Sequence, residues 1–217
     1  SPENILIIDN DKIPEQEGIK SKVILIDSKD GPVGYYDKKL LTPGGETIPY
    51  LAKLPLLIFE YLRKNNFISS RATFYSGKEN NIINYKDSKI KLVVCSDIIS
   101  PGLSKDGEFD FIINLNNLAG FNSNPLIESE LLSMARFRAA ENNKYLIISS
   151  NFGHSYIINP LGNIIAFTDS TGYQILTKEV VPNQKRTWYN KLGDFPILIL
   201  SFLITLIGLK PALNRKF

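Results

Sequence analysis

The sequence predicts a layered α/β domain. Three features point to it: short β-rich apolar runs recur along the chain, helical patterns separate some of them, and others are joined by turn-forming residues. With 217 residues and 43% apolar content, the chain can bury one large core. Its 25 basic and 22 acidic residues give a net charge of +3 without a long basic stretch, which argues against a nucleic-acid partner. A single cysteine, Cys95, and a single histidine, His154, exclude an internal disulfide and leave no Cys/His cluster for zinc, so no metal site is expected.

The elements follow in chain order. Ile5 to Ile8 and Lys22 to Asp27 are β-type runs separated by a polar segment with Pro14 and Gly18. Asp30-Gly31 marks a turn, after which Val33 to Tyr36 resumes an extended pattern, as in a hairpin. A Pro/Gly-rich loop runs from Thr42 to Pro49, and Leu51 to Lys64 carries apolar residues at helical spacing. Phe67 to Asp87 is polar and aperiodic, which predicts loop and short strands. Ile90 to Val94 reads as a buried strand, and Phe109 to Leu115 as another, leading into an Asn-rich loop. Strong helix formers fill Glu128 to Glu141. Tyr145 to Ser150, Ser155 to Asn159 and Ile164 to Thr168 are strands, the last two joined as a hairpin by Pro160-Leu161-Gly162-Asn163. The chain opens at Ser1 without Met and enters the run Asn4 to Ile8 almost at once, so it reads as the carboxyl-terminal part of a longer protein.

The tail differs in kind. Phe195 to Leu209 carries no charge, is about 15 residues or roughly 22 Å long as a helix, and reaches about 27 Å if the helix starts near Leu192. It is apolar all round, which favours a transmembrane span over a buried core helix. Lys210, Arg215 and Lys216 would then keep the carboxyl terminus in the cytoplasm and the preceding domain outside it, against the opposing charge of Lys191.

Cys95 stands where an apolar strand meets the polar turn Ser96-Asp97. A thiol so placed can meet substrate while the strand beneath holds it rigid, which makes Cys95 a candidate nucleophile. A lone cysteine is also commonly a small buried hydrophobe.

Motifs decide between these readings. Tyr36 to Pro49, YDKKLLTPGGETIP, resembles the Y-x-K-x-x-L-x-P-x-G-E-x-x-P signature of the nitrilase superfamily, in its apolipoprotein N-acyltransferase branch. Asn114 to Pro125 is similar to the branch's S-N-D-x-W-F-G-x-S-x-G-P loop in degenerate form, and Met134 to Asn142 to its M-A-R-x-R-A-x-E-x helix. Ser150-Asn151-Phe152-Gly153 resembles its T-N-x-G turn, and Gly193-Asp194-Phe195-Pro196 the G-D-x-P before its last membrane helix. The resemblance runs from about Val23 to Leu209. It implies a nitrilase-like α-β-β-α sandwich over residues 1–190, truncated at its amino end, followed by a transmembrane helix and short cytoplasmic tail over 191–217.

By this resemblance Cys95 is the nucleophile, Lys38 the cation beside it, and Glu46 the carboxylate that orients Lys38 and substrate. The chemistry suits these types: a thiolate attacks an ester carbonyl, a cation steadies thiolate and oxyanion, and a carboxylate moves protons. Ser96 offers a backbone N–H to the oxyanion, and Ser96, Asp97 and Asn117 are expected to contact substrate. The family's general base is a glutamate on an earlier strand. Glu3, in Pro2-Glu3-Asn4, has the right context, yet the strand at Ile5 leaves no room for the intervening helix, which puts the base upstream of Ser1. Ser96-Asp97 replaces the family's Tyr-Glu, Leu118-Ala119 its Trp, and Gly44 a common aromatic, departures that bear on lipid or acceptor recognition. His154 reads as a strand-edge residue, and Arg136, Arg138 and Glu141 as structural ion pairs.

The implied activity is acyl transfer without a cofactor at the bacterial cytoplasmic membrane. A fatty acyl group leaves a phospholipid donor, forms a thioester on Cys95, and passes to the α-amine of a diacylglyceryl-modified cysteine in an apolipoprotein. Two alternatives stand beside it: a soluble amidase or nitrilase-type hydrolase using water, and a catalytically inactive membrane-anchored domain that keeps the fold.

Overall fold

A computed structural model describes residues 5–15, 18–63, 74–78, 80–122, 124–169 and 172–213. Glu3, the candidate base, lies outside the described residues, as do Arg215 and Lys216.

Two sheets form the body. The first has three antiparallel strands in the order β1 (Ile5–Glu15), β2 (Gly18–Asp27), β3 (Gly31–Asp37). The second has six, in chain order: β4 (Ile82–Tyr85), β5 (Ser88–Val94), β6 (Phe111–Asn117), β7 (Tyr145–Asn151), β8 (Tyr156–Ile158) and β9 (Ile164–Phe167). Its centre, β5-β6-β7, is parallel, and antiparallel strands flank it on both sides. Helix α1 (Tyr50–Arg63) follows the first sheet, α2 (Pro101–Lys105) and α3 (Pro125–Asn142) cross between the parallel strands, and α4 (Trp188–Leu192) and α5 (Phe195–Leu213) close the chain.

Strand β5 explains the layering. Ile90, Leu92 and Val94 point one way, into a cluster with Val23, Leu25 and Tyr36 of the first sheet. Val93 points the other way, into a cluster with Leu131, Ala135 and Ala139 of α3. A strand apolar on both faces is what a parallel strand needs when layers cover it on both sides. The described residues thus supply a sheet, a second sheet and a helix layer, with Leu92 and Val93 at 1% and 0% exposure.

Strand β1 extends past the expected Ile8 through the polar segment to Glu15 and pairs with β2 down to Glu15 opposite Gly18, because cross-strand pairing outweighs the low β propensity of Asp9, Asn10 and Asp11. The tail forms the expected helix, α5, with residues 197–200, 202–204, 206 and 207 exposed. Yet among the described residues no helix is long and apolar enough to cross a membrane.

Leu92 sits between the two sheets with no room to relax. Leu92→Ala is expected to cost about 2–5 kcal/mol of unfolding free energy in a urea titration, with the slope unchanged.

Candidate active site

Parallel register brings the carboxyl ends of β5, β6 and β7 together: Val94 lies beside Leu115, and Asn117 beside Asn151. Open α/β sheets present their crevices at this edge. Cys95 is the first residue beyond β5 and adopts φ +47°, the left-handed region that side chains other than glycine seldom occupy. The chain then enters a 3-10 turn, Cys95–Ile99. The thiol is thereby thrust out of the sheet at a sharp corner, a strained conformation that surrounding contacts must hold.

Asp97 supplies that hold. Its side chain is fully buried and accepts hydrogen bonds from the Val94 N–H (3.1 Å), the Leu40 N–H (2.7 Å) and the Tyr36 hydroxyl (2.8 Å). One carboxylate therefore ties the corner carrying Cys95 to β3 and the segment after it. Burial pushes the Asp97 carboxyl above its ordinary range, and these donors draw it part of the way back. Burial and the adjacent Asp97 also drive the Tyr36 phenol far above its usual value, which keeps the hydroxyl a donor. Asp97 was expected to meet substrate, but with its oxygens engaged at 0% exposure it lines neither cavity beside the thiol. The Ser96 hydroxyl donates to the Leu40 carbonyl at 2.7 Å and lies 3.1 Å from the Thr42 hydroxyl. Its backbone N–H is turned toward the sulfur and favours the thiolate.

Lys38 follows β3 immediately and is 3% exposed. Its N–H donates to the Ser21 carbonyl (2.9 Å), and its own carbonyl accepts from the Gly77 N–H (2.8 Å). Position 77 admits only glycine, since a Cβ there would stand 2.1 Å from the Asp37 carbonyl oxygen. The Lys38 ammonium donates to Glu46 Oε2 at 2.5 Å and to Thr42 Oγ1 at 3.1 Å. Glu46 also accepts from the Thr42 N–H (2.6 Å) and the Ser21 hydroxyl (3.2 Å). The loop that presents it closes on itself through Glu46 N–H to the Thr42 carbonyl (2.9 Å) and turns at Gly44, φ +83°. Burial alone would raise the Glu46 carboxyl, but the bonds from Lys38 and Thr42 outweigh it and hold the group below the usual carboxylate range.

Cys95, Lys38 and Glu46 line one cavity of about 330 Å³, shared with Ser21, Thr42, Gly45, Phe74, Val94, Asn117, Gly120 and Phe121. Asn117 stands at its wall, its Oδ1 accepting from the Ala119 N–H at 3.1 Å. The turn carrying Gly120 and Phe121 is propped by the Leu118 N–H donating to the Asn151 carbonyl (3.0 Å) and by Gly153, where a Cβ would approach Leu118 Cδ1 to 2.7 Å. Ser21, Thr42, Gly77 and Phe121 are absent from the sequence reading of the site; Thr42 and Phe121 fall within its motifs, at positions to which no role was given.

Electrostatics place the resting thiol on the protonated side. Burial raises the Cys95 pKa, Lys38 lowers it, and Glu46 and Asp97 raise it again, with a net upward shift. Attack then requires a proton acceptor. Glu46 is depressed by its ion pair and Asp97 is enclosed, so neither is placed to serve. His154 is engaged elsewhere, with Nδ1 2.7 Å from Glu128 Oε1, and Arg138 pairs with Glu141 at 3.1 Å. No cluster of three or more His, Cys, Asp or Glu suited to a metal occurs among the described residues.

Two outcomes follow from these shifts. Alkylation of Cys95 by iodoacetamide, followed by mass spectrometry, should accelerate with pH around an inflection above the ordinary thiol value of about 8.5. Lys38→Met should move that inflection further up, since the lost cation favoured the thiolate. Because the Glu46 pKa is depressed in the fold, its contribution to stability is present above the ordinary carboxylate range and is lost as pH falls through the folded value. Glu46→Gln should therefore cost about 1–3 kcal/mol at neutral pH, and the gap from wild type should close on acidification.

Comparison with known proteins accords with this geometry. Residues 3–190 match the carbon-nitrogen hydrolase family. The chain is 31% identical over 188 residues to apolipoprotein N-acyltransferase 1 of Treponema denticola, covering 84% of this chain and 33% of that protein. It is 28% identical over 201 residues to apolipoprotein N-acyltransferase of Bradyrhizobium diazoefficiens, covering 90% and 36%. The chain thus spans about a third of the length of these relatives. The fold resembles a carbon-nitrogen hydrolase from Helicobacter pylori G27, with a TM-score of 0.57 at 16% identity over 78% of this chain and 59% of that one. It also resembles a superfamily member from Xanthomonas campestris, TM-score 0.51 at 16% identity over 72% and 56%. A strand-end thiol beside a buried lysine–glutamate pair, on two stacked sheets, is the setting in which this match falls, and the chain belongs to the carbon-nitrogen hydrolase family.

Proposed function

We propose that this chain is the catalytic part of an acyltransferase that moves a fatty acyl group from a phospholipid to the α-amine of a diacylglyceryl-modified cysteine at the amino terminus of an apolipoprotein. The observation that carries the reading is the shared cavity of Cys95, Lys38 and Glu46. The names of its relatives supply the acceptor class. Both substrates are lipids, so the reaction is assigned to a bacterial membrane.

The chemistry divides into two displacements. Cys95 loses its proton to a base and its sulfur attacks the ester carbonyl of the donor; the C–O bond breaks, the lysophospholipid leaves with a proton, and a thioester remains. The acceptor amine then attacks the thioester carbonyl, the C–S bond breaks, and the amine proton returns to the thiolate by way of the base. Lys38 steadies the thiolate and, with the Ser96 N–H, the oxyanion of each tetrahedral intermediate. Glu46 holds the ammonium in place. The base is assigned to a glutamate, Glu3 or one upstream of Ser1. A thiolate is a good nucleophile toward the ester and a good leaving group toward an amine, which suits transfer better than an oxygen nucleophile would.

Incubating the whole protein that carries this chain with phospholipid bearing a labelled acyl chain should leave label on Cys95 that hydroxylamine removes, and a diacylglyceryl-peptide should discharge it as an N-acyl product. Lys38→Ala is expected to slow acyl-enzyme formation by about 10²–10³-fold. Label retained in Cys95→Ala would overturn the assignment of the nucleophile, and release of free fatty acid irrespective of the peptide would identify a hydrolase.

A further inference from the structure

The Cys95 corner opens onto a second cavity, of about 440 Å³, that shares Thr42, Cys95 and Phe121 with the first. The two differ in chemistry. The first is walled by Lys38, Glu46, Ser21 and Asn117. The second is walled by Ile99, Phe121, Ile127, Leu131 and Met134, with Ser96 and Glu130 its polar members apart from Thr42. Ile127, Leu131 and Met134 recur at i, i+4 and i+7 and so form one apolar stripe along α3. Leu131 is anchored in the core at 7% exposure, while Ile127 and Met134 are only half-buried, leaving their side chains as the open wall.

Resting on the acyl-transfer reading, we propose that this second cavity is the acyl-chain site, and that Met134 with Ile127 sets the chain length the enzyme accepts. Transfer through a single thiol imposes a division of space. The acyl group stays attached to sulfur throughout, whereas the group on the other side of the carbonyl is discharged and replaced by the amine. The half that stays is a hydrocarbon, while the half that is exchanged presents polar atoms to the carbonyl, first the donor's glycerol oxygen and then the acceptor's amine, so the apolar cavity takes the former and the Lys38 cavity receives the latter. A volume of about 440 Å³ lies within the 300–1,000 Å³ of ordinary ligand pockets. Met134 is the chain's sole methionine, unbranched and able to follow a flexible alkyl chain.

The test uses the whole protein in detergent micelles, phosphatidyl donors whose acyl chains run from about 10 to 18 carbons, and the initial rate of hydroxylamine-labile mass gain on Cys95. Met134→Trp should leave the shortest donors near the wild-type rate and slow longer ones by about fourfold for each methylene that no longer fits. Ile127→Phe, at a half-buried position, should shift the optimum the same way and serves if Met134→Trp misfolds. Phe137→Ala, exposed on α3, should leave the chain-length profile unchanged. Acylation of Cys95 with an unaltered profile in both Met134→Trp and Ile127→Phe overturns the pocket assignment alone. No acylation of wild-type Cys95 by any donor overturns the acyl-transfer reading and this inference with it.

Discussion

A single buried carboxylate holds the site together. Asp97 accepts from the backbone immediately before Cys95, from the Tyr36 hydroxyl of β3 and from the Leu40 N–H just beyond Lys38. It thus links the two sheets at the point where thiol and ammonium must be placed against each other. A charge at 0% exposure is tolerated only when its oxygens are occupied, and here three donors converge on it. The left-handed conformation of Cys95 depends on the same contacts: without an acceptor at position 97 the Val94 amide and the Tyr36 hydroxyl would both be stranded in the core, and the strained corner would lose its brace.

The second consequence is a separation of roles between carboxylates. Asp97 is structural in its contacts, and Glu46 spends its charge on Lys38, the Thr42 amide and the Ser21 hydroxyl. Lys38 is accordingly a fixed cation whose Coulomb pull partly offsets the desolvation of the thiol without overcoming it. A thiol that rests protonated is protected from adventitious reaction and is activated when a base acts on it.

Much of this was legible in the sequence because it resides in local pattern. The alternation of apolar runs with turns located β2, β3 and β5 to β9, and the spacing from Tyr36 to Pro49 marked Lys38 and Glu46. What escaped depends on tertiary partners. Asp9 to Asp11 read only as part of a polar segment between strands because single-residue propensity carries no knowledge of the β2 backbone opposite. Asp97 read as a substrate contact because it lies next to the candidate nucleophile Cys95, and nothing in the chain order shows that Tyr36 and Leu40 reach it across 61 and 57 residues. Gly77 carries no motif at all; its constraint is the Asp37 carbonyl pressed against it. The tail was read by composition, and among the described residues no helix is long and apolar enough to cross a membrane.

The placement of the thiol between a polar and an apolar cavity bears on the choice between transfer and hydrolysis. A hydrolase must admit water to the thioester and gains nothing from retaining a long hydrocarbon beside the sulfur. A transferase must keep water from the thioester until an amine arrives, and a chain lodged against Ile127, Leu131 and Met134 would shield the carbonyl on that side, next to Phe121, which lines both cavities. In such a low-dielectric corner the Lys38 charge and the Ser96 amide act with greater force on an oxyanion than they would in water. On the acyl-transfer reading the apolar wall and the cationic wall would be parts of one device: the first would exclude solvent, and that exclusion would give the second its strength.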